Sequence, residues 1–472
     1  MKNNTDWQSF PFGDFFRELE NFIQSSPERG IHAFETPAEL RALFDMTLPS
    51  QGRSKDELLQ DMKAYLDHAR NTLHPTFANQ LYAAPLPIAF IADAVAALGN
   101  STMATFEAAP IGTLIERALV HNLGKSIGWE RTEGIMVTGG SNANLSGLLL
   151  ARNTRFPETR RFGNGNTRFS VFVSEEAHYS FFKAMNQLGI GTDNLIPVPA
   201  DAQGRLRASE LERLILTAKD RGFTPLMCAA TAGTTVLGAF DPLEEIADVC
   251  ERHGLWMHVD GAWGGSTLLS TKHRGKLKGI ERADSVTWDT HKMLGTGLVS
   301  SFILTKHIGA LLASQRGGGN NYLFHDGQEN TMDLGPLSLQ CGRRVDAFKV
   351  WLSWRAMGDE GWENLVDTLF ARAQWMAKEI KNRPTLQLLY EPESLNVCFR
   401  YRPKRSYQAN LAVRPIRDEL MARGEAMINW SSRSGESFLR FIVVHPGADE
   451  RVLTKILDAV EAAGKRWEAS HG

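Results

Sequence analysis

The chain has 472 residues, 43% of them apolar and 22% charged, with 52 basic side chains set against 54 acidic ones. At roughly 150 residues per domain this is about three domains' worth of chain, enough for a substantial core. The net charge of −2 supplies no global field to draw in nucleic acid or anionic lipid, and no apolar run approaches the ~20 residues that cross a bilayer.

The opening segment MKNNTDWQSF has neither the basic nor the apolar stretch of a secretory signal, so none is expected. Residues 1–75 read as helices with polar breaks. Phe15, Phe16, Leu19, Phe22 and Ile23 share one helical face, and Leu58, Leu59, Met62, Tyr65 and Leu66 share another, as the 3.6-residue period requires. Neither helix has a core of its own, so each must pack on the main domain or on a second copy of the chain. A helix is predicted over 111–126. Short apolar runs follow at 134–137, 169–173, 195–198, 226–230, 255–259, 285–288 and 299–304, with helical segments at 143–153, 178–187, 208–219 and 242–253. Near-continuous apolar strands alternating with helices predict an α/β fold with a mainly parallel central sheet and helices on both faces.

The stretch Arg316-Gly-Gly-Gly-Asn-Asn breaks this pattern and, with the polar residues up to 335, reads as a mobile loop. Helices near 345–357 and 361–382 come next. Short strands at 385–389, 396–401, 426–430 and 438–444 then mix with helices near 411–423 and 450–464, which predicts a smaller C-terminal α+β domain. The expected organisation is an N-terminal helical segment 1–75, a large domain 76–347 and a small domain 348–472. Cys228, Cys250, Cys341 and Cys398 lack C-x-x-C spacing. They read as buried small hydrophobes, with neither a zinc set nor a disulfide framework. No metal site and a reducing, cytoplasmic setting are therefore expected.

Chemistry gathers at the ends of the predicted strands. In Asp284-Ser-Val-Thr-Trp-Asp-Thr-His-Lys-Met a strand ends at His291-Lys292, on the carboxyl side of the sheet, where doubly wound folds bind ligands. Taken alone, Lys292 could be a surface lysine. In Leu255-Trp-Met-His-Val-Asp-Gly-Ala-Trp another strand ends at Asp260, which alone could be a turn residue. An amine and a carboxylate at two strand ends suit pyridoxal 5'-phosphate, which needs a Schiff-base lysine and an anion beside its ring nitrogen. Val137-Thr-Gly-Gly-Ser-Asn-Ala-Asn is a strand, a Gly-Gly turn and a helix start. Its N–H groups and helix dipole make a phosphate cradle, although Ser141 could equally be a plain N-cap. His178, in Val173-Ser-Glu-Glu-Ala-His-Tyr, could stack on a cofactor ring or simply start a helix.

Taken together these segments resemble the group II pyridoxal-phosphate-dependent decarboxylases, which have the aspartate aminotransferase-like fold, type I of the pyridoxal-phosphate-dependent transferases. The matching residues are Gly139-Gly140-Ser141, Glu176-Ala177-His178, Thr231-Ala-Gly-Thr-Thr235, His258-Val-Asp260-Gly-Ala262 and His291-Lys292, and the similarity runs from about residue 55 to the C-terminus. Within that group the chain looks most like the branch that decarboxylates glutamate, aspartate and cysteine sulfinate. The segments carrying this are His74-Pro-Thr-Phe-Ala-Asn-Gln80-Leu, Thr105-Phe-Glu-Ala-Ala-Pro110, Asn321-Tyr322-Leu-Phe, Leu339-Gln-Cys-Gly-Arg-Arg-Val-Asp346 and Phe438-Leu-Arg440-Phe. Two departures stand beside the lysine. Asp289 and Thr290 occupy places where the family usually has Asn and Pro, and an Asp beside a phosphate would repel it, so Asp289 is left out of the phosphate set.

The resemblance implies a role for each residue. Lys292 would carry the cofactor, Asp260 would pair with its ring nitrogen, and His178 and Ala262 would lie on its two faces. Thr231 would reach the Schiff-base side, and Gly140, Ser141, Asn142 and His291 would hold the phosphate. Tyr322 would return the proton to Cα from a loop that also excludes water; the alternative is a packing role in that loop. Arg440 sits inside the apolar run Phe438-Leu-Arg-Phe-Ile-Val-Val and needs a carboxylate partner, either within the protein or on a ligand. With Gln80 it favours an acidic amino-acid substrate. The family also implies a homodimer with the active site at the interface and the N-terminal helices clasping the partner. No nucleic-acid or membrane partner is expected. Competing readings are a decarboxylase for 2,4-diaminobutyrate or an aromatic amino acid, an aldehyde-forming relative, and a non-catalytic relative.

Overall fold

Seven of the apolar runs come together as one sheet. The computed structural model of the chain describes residues 7–31, 35–315 and 332–471. Across the sheet the strands are Glu133–Val137, Ser301–Thr305, Ser285–Asp289, Trp256–Asp260, Thr224–Thr231, Phe169–Ser174 and Leu195–Val198. Ser301–Thr305 pairs antiparallel with both neighbours, and the remaining pairings are parallel. The reason is the length of the connection. Residues 290–300 are too few for the dozen or more needed to cross back over a sheet and re-enter parallel, so the chain returns beside the strand it has just left.

Strands Phe169–Ser174, Trp256–Asp260, Ser285–Asp289 and Ser301–Thr305 are buried at every position, as expected of a sheet covered on both faces. Phe302 and Leu304 join an apolar cluster with Leu123, Ile215 and Ile246. Ile303, between them, joins a second cluster with Leu148, Phe181 and Met185. The period of two along the strand sends alternate side chains to opposite faces.

The chain divides into two compact units. One holds this sheet and comprises residues 85–374 and 390–396; the other comprises 1–84, 375–389 and 397–472. The change to mixed helices and short strands places a boundary near 347. The helical run Ala347–Asn382 begins there, yet Ala347 and Val350 are buried in the apolar cluster of the large sheet, and the chain stays with that unit as far as Gln374. The second unit carries a five-stranded sheet in the order Phe77–Ala78, Met427–Arg433, Glu436–Ile442, Asn396–Tyr401 and Leu386–Tyr390. Helix Ala409–Ala422 packs on two of these strands and on helix Glu450–His471. The same unit includes the N-terminal helices Phe12–Arg29 and Lys55–His68, which contact each other. Lys55–His68 starts with a capping box, in which Ser54 and Glu57 satisfy each other's backbone N–H, an arrangement worth about 1 kcal/mol. Among the described residues no helix is long and apolar enough to cross a membrane.

Candidate active site

Strand Glu133–Val137 leads through Thr138 and Gly139 into helix Gly140–Arg155. Gly139 has φ +119°, a backbone region that a side chain would disfavour. The N–H groups of Gly140 and Ser141 open the helix, where no preceding turn offers an acceptor, so they are available to an anion. A Cβ placed on Gly140 would lie 2.7 Å from Asp289 Oδ2 and 3.2 Å from the Ala262 methyl. The floor of the cradle is thus closed by the strand ends that carry Asp289 and Ala262. Asn142 is engaged locally: its Nδ2 donates to Thr138 Oγ1 at 3.1 Å and its Oδ1 accepts from Ser146 Oγ at 3.3 Å.

The sheet brings the other residues to one edge. Thr231 and Asp260 are register partners on adjacent parallel strands, and Asp260 pairs in turn with Thr287, two residues before Asp289. Lys292 follows Asp289 by one tight turn, with its Nζ 3.1 Å from Asp289 Oδ2. Asp289 is therefore the counter-ion of the lysine, which accounts for a carboxylate where the family pattern has an amide. Thr290 has a structural reason as well. Its N–H donates to the Ser300 carbonyl at 2.9 Å and its Oγ1 accepts from Thr296 at 2.8 Å; a proline would lose the first of these bonds. His291 Nδ1 lies 3.1 Å from both backbone groups of Ser300, and Nε2 lies 3.9 Å from Asp289 Oδ2. Burial holds the His291 imidazole below its ordinary pKa. His178 follows strand Phe169–Ser174, and its Nδ1 accepts from the Ser180 N–H at 3.3 Å. Its pKa is also lowered, chiefly by burial and with help from the Lys292 charge, against the fields of Asp260 and Asp289. Both imidazoles therefore favour the neutral form.

Asp260 has a partner that local patterns do not reveal. One oxygen accepts from the Ala262 N–H at 3.1 Å and the other from Asn144 Nδ2 at 2.8 Å. Asn144 also donates to Ser180 Oγ at 2.9 Å, while its Oδ1 accepts from Thr287 Oγ1 at 2.8 Å and lies 3.1 Å from His258 Nε2. His258 Nδ1 is 2.8 Å from Ser285 Oγ, which itself accepts from Trp256 Nε1 at 2.8 Å. His258 is fully buried, and that burial pushes its pKa down to about 4. The available signal was the helix face: Gly140, Asn144 and Gly147 recur at spacings of four and three, a small-polar-small stripe along the helix.

In the second unit, Arg440 is buried on strand Glu436–Ile442. Its Nη2 donates to the Asn79 carbonyl at 3.0 Å, which brings it beside the segment that carries the exposed Gln80. Arg343, in the Gln-Cys-Gly-Arg stretch, forms a buried ion pair with Glu116 at 3.1 Å and donates to the Met136 carbonyl at 3.0 Å. That arginine braces the edge strand of the large sheet. Tyr322 lies outside the described residues.

The residues of the large unit fit pyridoxal 5'-phosphate. They offer an amine at Lys292, a carboxylate at Asp260 and a helix start at Gly140. Thr231 Oγ1 and Asp289 Oδ1 are buried polar atoms with no hydrogen-bond partner among the described residues, and buried atoms of that kind call for a ligand or water.

Comparison with known proteins agrees. Cysteine sulfinic acid decarboxylase of Mus musculus is 38% identical over 455 residues, covering 93% of this chain and 92% of that protein. The acidic amino acid decarboxylase GADL1 of Mus musculus is 38% identical over 446 residues, covering 92% of this chain and 81% of that protein. The crystal structure of mouse CSAD matches with a TM-score of 0.92 at 36% identity, covering 96% of this chain and 98% of that one. The model of the pyridoxal-dependent decarboxylase conserved domain matches residues 37–402, and on these grounds the chain belongs to the pyridoxal-dependent decarboxylase family, a fold type I amino-acid decarboxylase whose cofactor is pyridoxal 5'-phosphate.

Proposed function

We propose that this enzyme removes the α-carboxyl group of an acidic L-amino acid (glutamate, aspartate or cysteine sulfinate) as carbon dioxide and releases the corresponding amine. The observation that carries the acidic substrate is Arg440, a guanidinium buried within an apolar strand and bonded to the backbone beside Gln80. A buried guanidinium gains most from a carboxylate that matches its planar fork, and Gln80 adds an amide donor. The relatives named for cysteine sulfinate and for acidic amino acids support the same reading.

The chain's own residues divide the work. Lys292 supplies the amine that bonds the cofactor's aldehyde, and Asp289 holds its ammonium until then. The N–H groups of Gly140 and Ser141, with Asn142 and His291, hold the phosphate. Asp260 would pair with the ring nitrogen, His178 and Ala262 would lie on the two ring faces, and the Thr231 hydroxyl would reach the aldehyde side. When bound, pyridoxal phosphate supplies an electron sink for the pair left at Cα as carbon dioxide departs. Tyr322 would return a proton to Cα.

The active form is a homodimer in the cytoplasm. Exposed apolar side chains support the first part: Phe90, Ile91, Val95 and Leu98 on helix Pro87–Gly99, Ile111 and Leu114 on the next, and Phe12, Phe16 and Ile23 at the N-terminus. Surface of that kind marks an interface. That no disulfide joins any of the four cysteines supports the second.

The test is carbon dioxide release from a panel of amino acids by the cofactor-loaded protein. Turnover should favour glutamate, aspartate and cysteine sulfinate over 2,4-diaminobutyrate and the aromatic amino acids. Turnover confined to neutral or basic substrates overturns the proposal.

A further inference from the structure

Asn144 stands where a carboxamide has no freedom left. A side-chain amide can donate twice and accept twice. Asn144 does all four, to Asp260 and Ser180 and from Thr287 and His258, at 2.8–3.1 Å. Its orientation is determined by the partners. A carboxylate only accepts, so Nδ2 faces Asp260 and Oδ1 faces His258. The hydrogen of the imidazole is then on Nε2, and Nδ1 accepts from the Ser285 hydroxyl, whose oxygen receives Trp256 Nε1–H. Trp256, Ser285, His258 and Asn144 thus donate in succession along one chain that ends on Asp260. The packing is equally specific, since a Cβ on Gly147 would lie 2.6 Å from the His258 ring. Helix Gly140–Arg155 thus approaches the imidazole at van der Waals distance, about two turns after it opens the cradle.

We propose that Asn144 is a positioning residue for the decarboxylation. The bond from its amide aims the Asp260 carboxylate, so Asn144 governs how fully the cofactor's ring nitrogen is protonated. The proposal rests on Asp260 facing that nitrogen. Hydrogen bonds to a charged acceptor in a dry site are among the stronger ones. Without the Asn144 bond, Asp260 keeps only the Ala262 N–H, while the His258 and Thr287 donors lose their acceptor.

The experiment uses the holoenzyme loaded with cofactor carrying 15N at the ring nitrogen, whose resonance reports protonation at that atom without any substrate. Asn144→Leu should move the resonance toward the unprotonated value and lower kcat roughly 10- to 100-fold, with KM changed far less. Asp260→Asn, run in parallel, should move it at least as far. Ser180→Ala and Thr287→Val each remove one bond to the amide and leave no buried charge, so they should give smaller shifts in the same direction. They carry the test if Asn144→Leu does not fold. The proposal is overturned if Asn144→Leu lowers the melting temperature but leaves the resonance unmoved, or if Ser180→Ala and Thr287→Val both leave it unmoved. If Asp260→Asn itself has no effect, the placement of Asp260 fails and the proposal fails with it.

Discussion

Lowering the pH should destabilise the cofactor-free protein through His258, by an amount the structure lets us work out. The imidazole is fully buried and its pKa is pushed down to about 4, whereas in the unfolded chain it titrates near ~6.5. Between these values the unfolded chain binds a proton and the folded chain does not. Stability contributed by the neutral imidazole is therefore complete above the unfolded pKa and is lost as pH falls toward the folded one. At pH 4.5 the two binding curves differ by nearly a factor of a hundred, a loss of roughly 2–3 kcal/mol relative to pH 7.5. His178, His273 and His291 are also lowered by burial, whereas burial raises the Asp241 carboxyl to about 7, which adds stability as pH falls and opposes the histidines. A difference measurement isolates the one residue. His258→Gln cannot titrate, yet its carboxamide can donate to Asn144 and accept from Ser285. Urea unfolding followed by circular dichroism, at pH 7.5 and 4.5, should show the parent losing roughly 2–3 kcal/mol more than the variant. Equal losses in the two proteins would mean that His258 takes its proton within the folded state, and the donor directions drawn from it would fall.

Borohydride reduction of the holoenzyme followed by peptide mapping should place the cofactor on Lys292; a label on another lysine refutes the assignment. Arg440→Met should lose roughly 30-fold or more in kcat/KM on the acidic substrates, since stripping one partner from a desolvated charge pair typically costs ~2–5 kcal/mol. A folded, cofactor-loaded variant with parental activity on all three acids contradicts that role. Loss of the bond to the Asn79 carbonyl should lower stability by only about 1–3 kcal/mol, so melting temperature and activity separate the two effects. Gly147→Ala should drive a methyl into the His258 ring, where its Cβ would lie 2.6 Å away. Overpacking of this kind costs about 1–3 kcal/mol, and a variant as stable as the parent would show that the helix can shift.

Much of this enzyme was legible residue by residue. The seven apolar runs stand as strands because a strand buried on both faces must be apolar at successive positions, a local property of the chain. Lys292 and Asp260 stood out because a charged group at the end of such a strand has few structural reasons to be there. The antiparallel strand Ser301–Thr305 was a matter of connection length. What the sequence did not disclose are the partners of the buried polar groups. Asn144 meets Asp260 across 116 positions and Thr287 across 143, and Arg343 meets Glu116 across 227. Periodicity reports which face a residue occupies, with no information on which strand lies beneath that face. The order of the strands and the approach of helix Gly140–Arg155 decide that, and with them the identity of the group that steadies Asp260. The Asp289–Lys292 pair shows the same division at short range. Its spacing was visible, but only the tight turn after the strand puts the two charges 3.1 Å apart, so that the carboxylate serves the lysine.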